Sequence, residues 1–110
     1  MSQKEIIFYQ DSIGKEPFND WLLKIRDKTI RRRILTRLLR VENGNYGDYK
    51  SLKDGIFELR FTFGGGFRVY FGEDGDRIVV LLLGGDKSTQ TEDIEKAKNY
   101  WQEYLNYEKI

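Results

Sequence analysis

The sequence predicts a single α+β domain: a small, twisted, mainly antiparallel sheet carrying helices, in the order β-α-α-β-β-β-α. Three observations carry that expectation. Through FELRFTFGGGFRVYF (57–71) apolar and polar residues alternate on either side of a glycine run, the period of two strands joined by a turn. Three other stretches repeat apolar residues at helical spacing instead. The chain has 110 residues, which is one domain's worth and too little for two cores, so the domain is taken as 1–110.

KEIIFYQ (4–10) is β-branched and aromatic enough for a first strand. DSIGKEP (11–17) is turn material, and Pro17, the only proline, suits the first turn of a helix. Phe18, Trp21, Leu22 and Ile25 then fall on one helical face. A second helix is expected from about Thr29. Ile30, Ile34, Leu38 and Val41, with Leu35 and Leu39, form its broad apolar arc, and Arg33, Arg37 and Arg40 gather opposite, with Gly44 as the stop.

VENGNYGDYKSLKDG (41–55) reads as a polar loop before the hairpin, and GEDGD (72–76) as the turn after it. RIVVLLL (77–83) is continuously apolar, as in a central strand covered on both faces. The chain leaves it through GGDKSTQ (84–90) and enters a last helix. Thr89 and Glu92 have capping-box spacing there, and Ile94, Ala97, Trp101, Tyr104 and Leu105 form the packing stripe.

Composition narrows the chemistry. With no cysteine and no histidine, the chain has no disulfide, thiolate nucleophile, imidazole base or ordinary zinc site, and its scattered carboxylates show no metal-ligand spacing. Neither a secretory h-region nor an apolar run of membrane-spanning length is present, so a cytoplasmic protein without a membrane partner is expected. The net charge is only +1, yet eight of the nineteen basic residues crowd into 24–40 against one acid, Asp27. FGGGF lacks the lysine and helix of a phosphate-binding loop, and its glycines suit a turn needing positive φ.

The hairpin raises the functional question. If Phe57, Leu59, Phe61, Phe67, Val69 and Phe71 share a core face, then Glu58, Arg60, Arg68 and Tyr70 share the other. Arg60 then lies within cross-strand reach of Arg68 or Tyr70. Two adjacent guanidinium groups repel unless an anion lies between them, which leaves two readings: a solvated face paired with Glu58 or Glu73, or a site for phosphate, whose geometry suits arginine's forked donors.

SLKDGIFELRFTFGGGFRVYF (51–71) and LLLGGDKSTQTEDIEKA (81–97) resemble the RelE/ParE superfamily of toxins from type II toxin–antitoxin modules, and most closely its HigB-like addiction-module killer branch. The specific part is the ordered set Glu58-Leu59-Arg60, Gly66-Phe67-Arg68-Val69-Tyr70 and Gly84-Gly85-Asp86-Lys87-Ser88-x-Gln90. The resemblance implies a RelE-like fold with both N-terminal helices on one face of the sheet. It implies a ribosome-dependent, metal-independent mRNA endoribonuclease that needs no cofactor. The implied partners are the ribosome, mRNA and a helix-turn-helix antitoxin, the last in a hetero-oligomeric complex.

Carried residue by residue, the family's catalytic positions fall on Arg60, Arg68 and Lys87, with Tyr70 in the same signature. Arg60 and Arg68 are expected to clamp phosphate, Lys87 to bind phosphate or donate a proton, and Tyr70 to stack or orient. Lys53, Arg33, Arg37 and Arg40 are expected to contact RNA or the ribosome. Gln90 is assigned to the helix start and Glu58 to a salt bridge with Arg60. The chain departs from the pattern at Glu58, where some relatives carry lysine, and at Asp93, where some carry tyrosine, so the general base is not assigned. A ParE-like gyrase inhibitor and an inactive antitoxin-binding partner are the alternative functions.

Overall fold

The computed structural model describes residues 3–108. It is the expected α+β fold with one further strand. β1 (Glu5–Phe8), α1 (Pro17–Lys24), α2 (Lys28–Glu42), β2 (Tyr49–Ser51), β3 (Ile56–Arg60), β4 (Arg68–Asp74), β5 (Ile78–Gly85) and α3 (Gln90–Glu108) follow in order, with a 3-10 turn at Lys87–Thr89. The strands lie side by side as β1-β5-β4-β3-β2. β1 joins β5 in parallel, and the other three pairings are antiparallel. β2 is the strand that the polar loop concealed.

Pro17 opens α1 as expected, and Asp27 caps α2 by accepting from the amides of Thr29 at 2.8 Å and Ile30 at 3.3 Å. Phe18, Leu22, Ile34, Leu38 and Val41 from these helices bury against Leu59, Phe61, Val69, Phe71, Val79 and Leu81 on one sheet face. Full burial of each large apolar side chain contributes roughly 1.5–3 kcal/mol, so this cluster alone anchors both helices. The apolar arc of α2 is narrower than expected: Leu35 and Leu39 are exposed, because the helix touches the sheet only along the Ile34–Leu38–Val41 line.

The second face is covered as well. α3 lays Ala97 and Trp101 on Ile56, Tyr70, Val80, Leu82 and Leu83, with Ile94, Tyr104 and Leu105 at the margin. The hairpin's polar side is therefore not an open sheet surface, as the alternation alone implied. Only its Arg60–Arg68 end escapes the helix.

The hairpin register follows the expected parity. Phe57 faces Phe71, Leu59 faces Val69, Glu58 faces Tyr70, and Arg60 faces Arg68. Gly64, Gly65 and Gly66 close it with φ of 64°, 68° and 81°, values that side chains rarely adopt. β4 runs through Asp74, past the start of the expected turn, because Gly72–Asp74 continue the ladder with Val80–Ile78. A bulge interrupts the β4–β5 pairing, where Tyr70 faces Leu83 and Phe71 faces Leu81. Leu82 is the extra residue, and Leu82 and Leu83 both join the α3 core.

β5 also outlasts its expected end, through Gly84 and Gly85. Their lack of side chains is required: a Cβ on Gly84 would stand 2.1 Å from the Trp21 ring, and one on Gly85 would stand 1.9 Å from Asp93 Oδ2. These glycines let α1 and the start of α3 close on the strand end where the cations gather.

Candidate functional site

The site grows from the alternation of β3 and β4. Glu58 and Arg60 on one strand meet Tyr70 and Arg68 on the other, all four on the α3 side. Glu58 is wholly buried and sits at the centre. Its Oε1 accepts from Arg60 Nε at 3.1 Å and lies 3.8 Å from Arg68 Nε, while its Oε2 accepts from Gln90 Nε2 at 2.8 Å. The expected Glu58–Arg60 salt bridge is present, and it is shared. Gln90, expected to serve only the helix start, instead ties α3 to this carboxylate.

A buried carboxylate is tolerated only when its charge and lone pairs are compensated, and Glu58 has both kinds of compensation. It also relieves the repulsion between the two guanidinium groups. Two positive charges against one negative leave an excess of one, facing outward: the Arg60 side chain is 37% exposed and that of Arg68 13%. Arg68 Nη1 is fixed by the Gly66 carbonyl at 2.9 Å, and its Nε is buried without a hydrogen bond.

Lys87 borders the same end. It is exposed on the 3-10 turn, and its Cβ stands 3.5 Å from the point where a Cβ on Gly66 would lie, with Arg68 Nη1 3.2 Å from that point. Asp86 sets the turn by accepting from the Ser88 amide at 2.8 Å and its hydroxyl, bonds that hold the Asp86 carboxyl below its ordinary value. Asp86 therefore caps this turn. The Thr89 hydroxyl donates to Asp93 Oδ2 at 2.6 Å, and burial raises the Asp93 carboxyl above its ordinary value despite that bond. The structure thus brings Arg60, Arg68 and Lys87 to one end of the sheet.

Tyr70 belongs to the floor beneath them. It is fully enclosed by the α3 core, so no ring face is free to stack on a base. Burial, reinforced by the charges of Glu58 and Asp93, pushes its hydroxyl above the ordinary value of 10.0; the opposing effect of Arg68 is smaller. The phenol is neutral at pH 7 and is no base.

The four expected RNA contacts separate. Lys53 lies in the turn before β3, with φ of 73°, while Arg60 ends that strand. Six residues, 54–59, stand between them, four of them in the strand at about 3.3 Å each, so Lys53 is outside the cluster. Arg40 is exposed on α2, and the Arg33 guanidinium lies 3.9 Å above the Phe63 ring. Arg37 does not share a solvated face with them. It turns inward, donating to the carbonyls of Tyr46 at 2.9 and 3.1 Å, Asp48 at 2.7 Å and Arg60 at 2.9 Å. Its reach of several bonds lets it leave the helix face and tie the loop carbonyls of Tyr46 and Asp48 to the end of β3.

Two participants escaped sequence reading. Gln90 reaches Glu58 only because α3 docks on the sheet, which no local pattern records. Lys50 on β2 is the direct cross-strand partner of Glu58 and places another cation on this side. Among the described residues, no group of three or more Asp, Glu, His or Cys side chains is gathered to hold a metal ion, and no helix is long and apolar enough to cross a membrane.

Comparison with known proteins now adds to the geometry. The family described as phage-derived protein Gp49-like matches residues 20–102, which take in the rest of α1 from Asp20, all of α2, the hairpin and most of α3. An uncharacterised protein of Haemophilus influenzae is 48% identical over 86 residues, covering 78% of this chain and 87% of the relative.

Proposed function

The chain belongs to the phage-derived Gp49-like family, a RelE/HigB-like toxin family, and on that premise we propose that it is the toxin of a type II toxin–antitoxin module that cuts mRNA on the ribosome. The observation that carries this reading is the Arg60–Arg68 pair held across buried Glu58, with Lys87 beside it.

The proposed reaction needs no metal. The ribose 2′-oxygen attacks the adjacent phosphorus and loses its proton, the bond from phosphorus to the 5′-oxygen breaks, and that oxygen takes up a proton. The products are a 2′,3′-cyclic phosphate and a 5′-hydroxyl. Negative charge accumulates on the phosphoryl oxygens as the bond forms, and fixed cations in a partly desolvated site stabilise it without reorganising. Arg68, held by Gly66 and Glu58, is the principal clamp, and Arg60 the second. Lys87 binds phosphate or protonates the leaving oxygen. Tyr70 acts indirectly, as the neutral packing beneath Glu58.

Arg33 and Arg40 are proposed to contact RNA or the ribosome, with Lys53 a separate backbone contact at the far end of β3. The partner that restrains the toxin is a helix-turn-helix antitoxin, and the cytoplasm is where both act. Expression in growing cells followed by mapping of mRNA 5′ ends tests the reading. New ends clustered in translated codons support it. Gyrase-linked DNA breaks would favour the ParE-like alternative, and neither outcome would favour an inactive antitoxin-binding partner.

A further inference from the structure

An open groove of about 880 Å³ lies between the end of β1, with the loop that follows it, and the last turns of α3. Phe8, Tyr9, Tyr104 and Tyr107 supply its aromatic walls and Asp11 and Glu103 its charge, and among the described residues no lysine or arginine lines it. β1 is an outer strand of the sheet. Glu103 stands about 20 Å along α3 from Gln90, at about 1.5 Å per residue, so the groove is separate from the Arg60–Arg68 centre.

Its two carboxylates are held in place. Tyr9, buried and stacked on Tyr100 with ring centres 4.9 Å apart, donates its hydroxyl to Glu103 Oε2. Asp11 Oδ1 accepts from the amides of Ile13 at 3.0 Å and Lys15 at 2.8 Å. Glu103 Oε1 and Asp11 Oδ2 accept no hydrogen bond, and neither acid forms an ion pair, among the described residues. Burial raises the Tyr9 hydroxyl above its ordinary value of 10.0, and the bond to Glu103 and the charges of Glu103 and Asp11 raise it further, so both negative charges bear on one spot. Beside them Phe8 on β1 is 37% exposed and Tyr107 on α3 77% exposed.

Unpaired carboxylates next to exposed rings make a cation site, and the rings decide which cation. A small, strongly hydrated ion gains little from an aromatic face, whereas a guanidinium stacks on it and donates in a fork to carboxylate oxygens. The groove is open and near the top of the roughly 300–1,000 Å³ of small-ligand sites, so it has room for the chain that carries the guanidinium. Exposed Ser12 and Asn106, also on its lining, offer hydrogen bonds to peptide groups of that chain.

We propose that this groove docks an arginine side chain carried on a segment of a partner protein, with Glu103 and Asp11 as its counter-charges and Phe8 and Tyr107 as its stacking walls. The site stands whether or not the chain cuts RNA.

The test follows the aromatic NMR signals of Phe8 and Tyr107 in the full chain, at low salt, as a blocked glycine-arginine-glycine tripeptide is added. Saturable shifts of both rings are expected. They should be absent with the same tripeptide carrying citrulline, which keeps the shape of arginine without its charge. Glu103→Gln and Asp11→Asn should each weaken binding about tenfold, the loss of one charge-assisted hydrogen bond, and matching thermal melts show that both variants are folded.

No shift with the arginine tripeptide overturns the proposal, and so does equal binding of the citrulline tripeptide or an unchanged affinity in both carboxylate variants. Tighter binding of spermidine than of the arginine tripeptide at equal ionic strength overturns it too, by marking a site for a free polyamine. Ring shifts that grow with protein concentration in the absence of peptide would make a second copy of the chain the occupant, and would likewise overturn it.

Discussion

Glu58 and Arg60 stand two residues apart on β3 and are joined by a 3.1 Å ion pair whose carboxylate is entirely out of solvent. The same carboxylate reaches Arg68 on the neighbouring strand and Gln90 on α3. One buried charge thereby sets the spacing of both proposed phosphate clamps and fastens a helix over them.

Glu58→Ala leaves Arg68 buried against an empty site and Gln90 without its acceptor. Breaking a buried pair from one side costs roughly 3–5 kcal/mol, and urea unfolding should show a loss of that order. Glu58→Gln keeps the volume and an acceptor oxygen, so it should lose less. A loss below about 1 kcal/mol for alanine would mean that the carboxylate organises nothing.

Arg37 and Arg33 are four residues apart on α2 but play different parts. Arg37→Ala removes the side-chain donor to the carbonyls of Tyr46, Asp48 and Arg60, of which Asp48 keeps the Arg60 amide, and with bonds from a charged donor contributing about 1.5–3 kcal/mol, a loss of at least 2 kcal/mol is expected. Arg33→Ala removes one exposed cation–π contact, of about 0.5–1 kcal/mol. Paired thermal melts should rank them in that order, and equal melting temperatures would refute the tether.

Gly84→Ala drives a methyl group to 2.1 Å from the Trp21 ring carbon, closer than any relaxed contact. Overpacking of this kind costs typically 1–3 kcal/mol. The expected outcome is a lowered urea midpoint with an unchanged m-value. A neutral substitution would show that α1 is free to ride up on β5.

Asp93 carries a pH signature. Burial raises its folded carboxyl above the ordinary value of 3.8, so the native state holds this proton more tightly than the unfolded chain does. The charged form therefore lowers stability at neutral pH, and the penalty is relieved as pH falls through the raised value toward 3.8. Asp93→Asn, which can still accept from Thr89, should be at least as stable as the parent at pH 7, and its advantage should vanish near pH 4. An advantage that grows on acidification would reverse the assignment.

Much of the fold was legible because it follows from periodicities of two and 3.6. Alternation alone placed Leu59 and Val69 on one face and Arg60, Arg68 and Tyr70 on the other; which of the last two lies opposite Arg60 is settled only by the register, and it is Arg68. What escaped depends on contacts distant in sequence. Glu58 looked like a surface residue until α3 covered it, and Gln90 is 32 residues away from the carboxylate it holds. Arg37 falls on a polar helical face by angle, but a long side chain can bend to carbonyls that a helical wheel does not contain. β2 has three exposed residues, Tyr49–Ser51, too few for any alternation to register. The cations of the candidate site were readable as types; their buried counter-charge was not readable as buried.

The central claim is that Arg68 and Arg60 stabilise a phosphate as it is cut. Its most direct test is the rate of cleavage of ribosome-bound mRNA in a purified translation system, comparing the parent chain with Arg68→Ala at equal concentration of folded protein. Losing one such stabilising group should slow cleavage by about 10²–10³-fold. Cleavage by Arg68→Ala at the parent's rate, or an mRNA left whole by the parent itself, would contradict it.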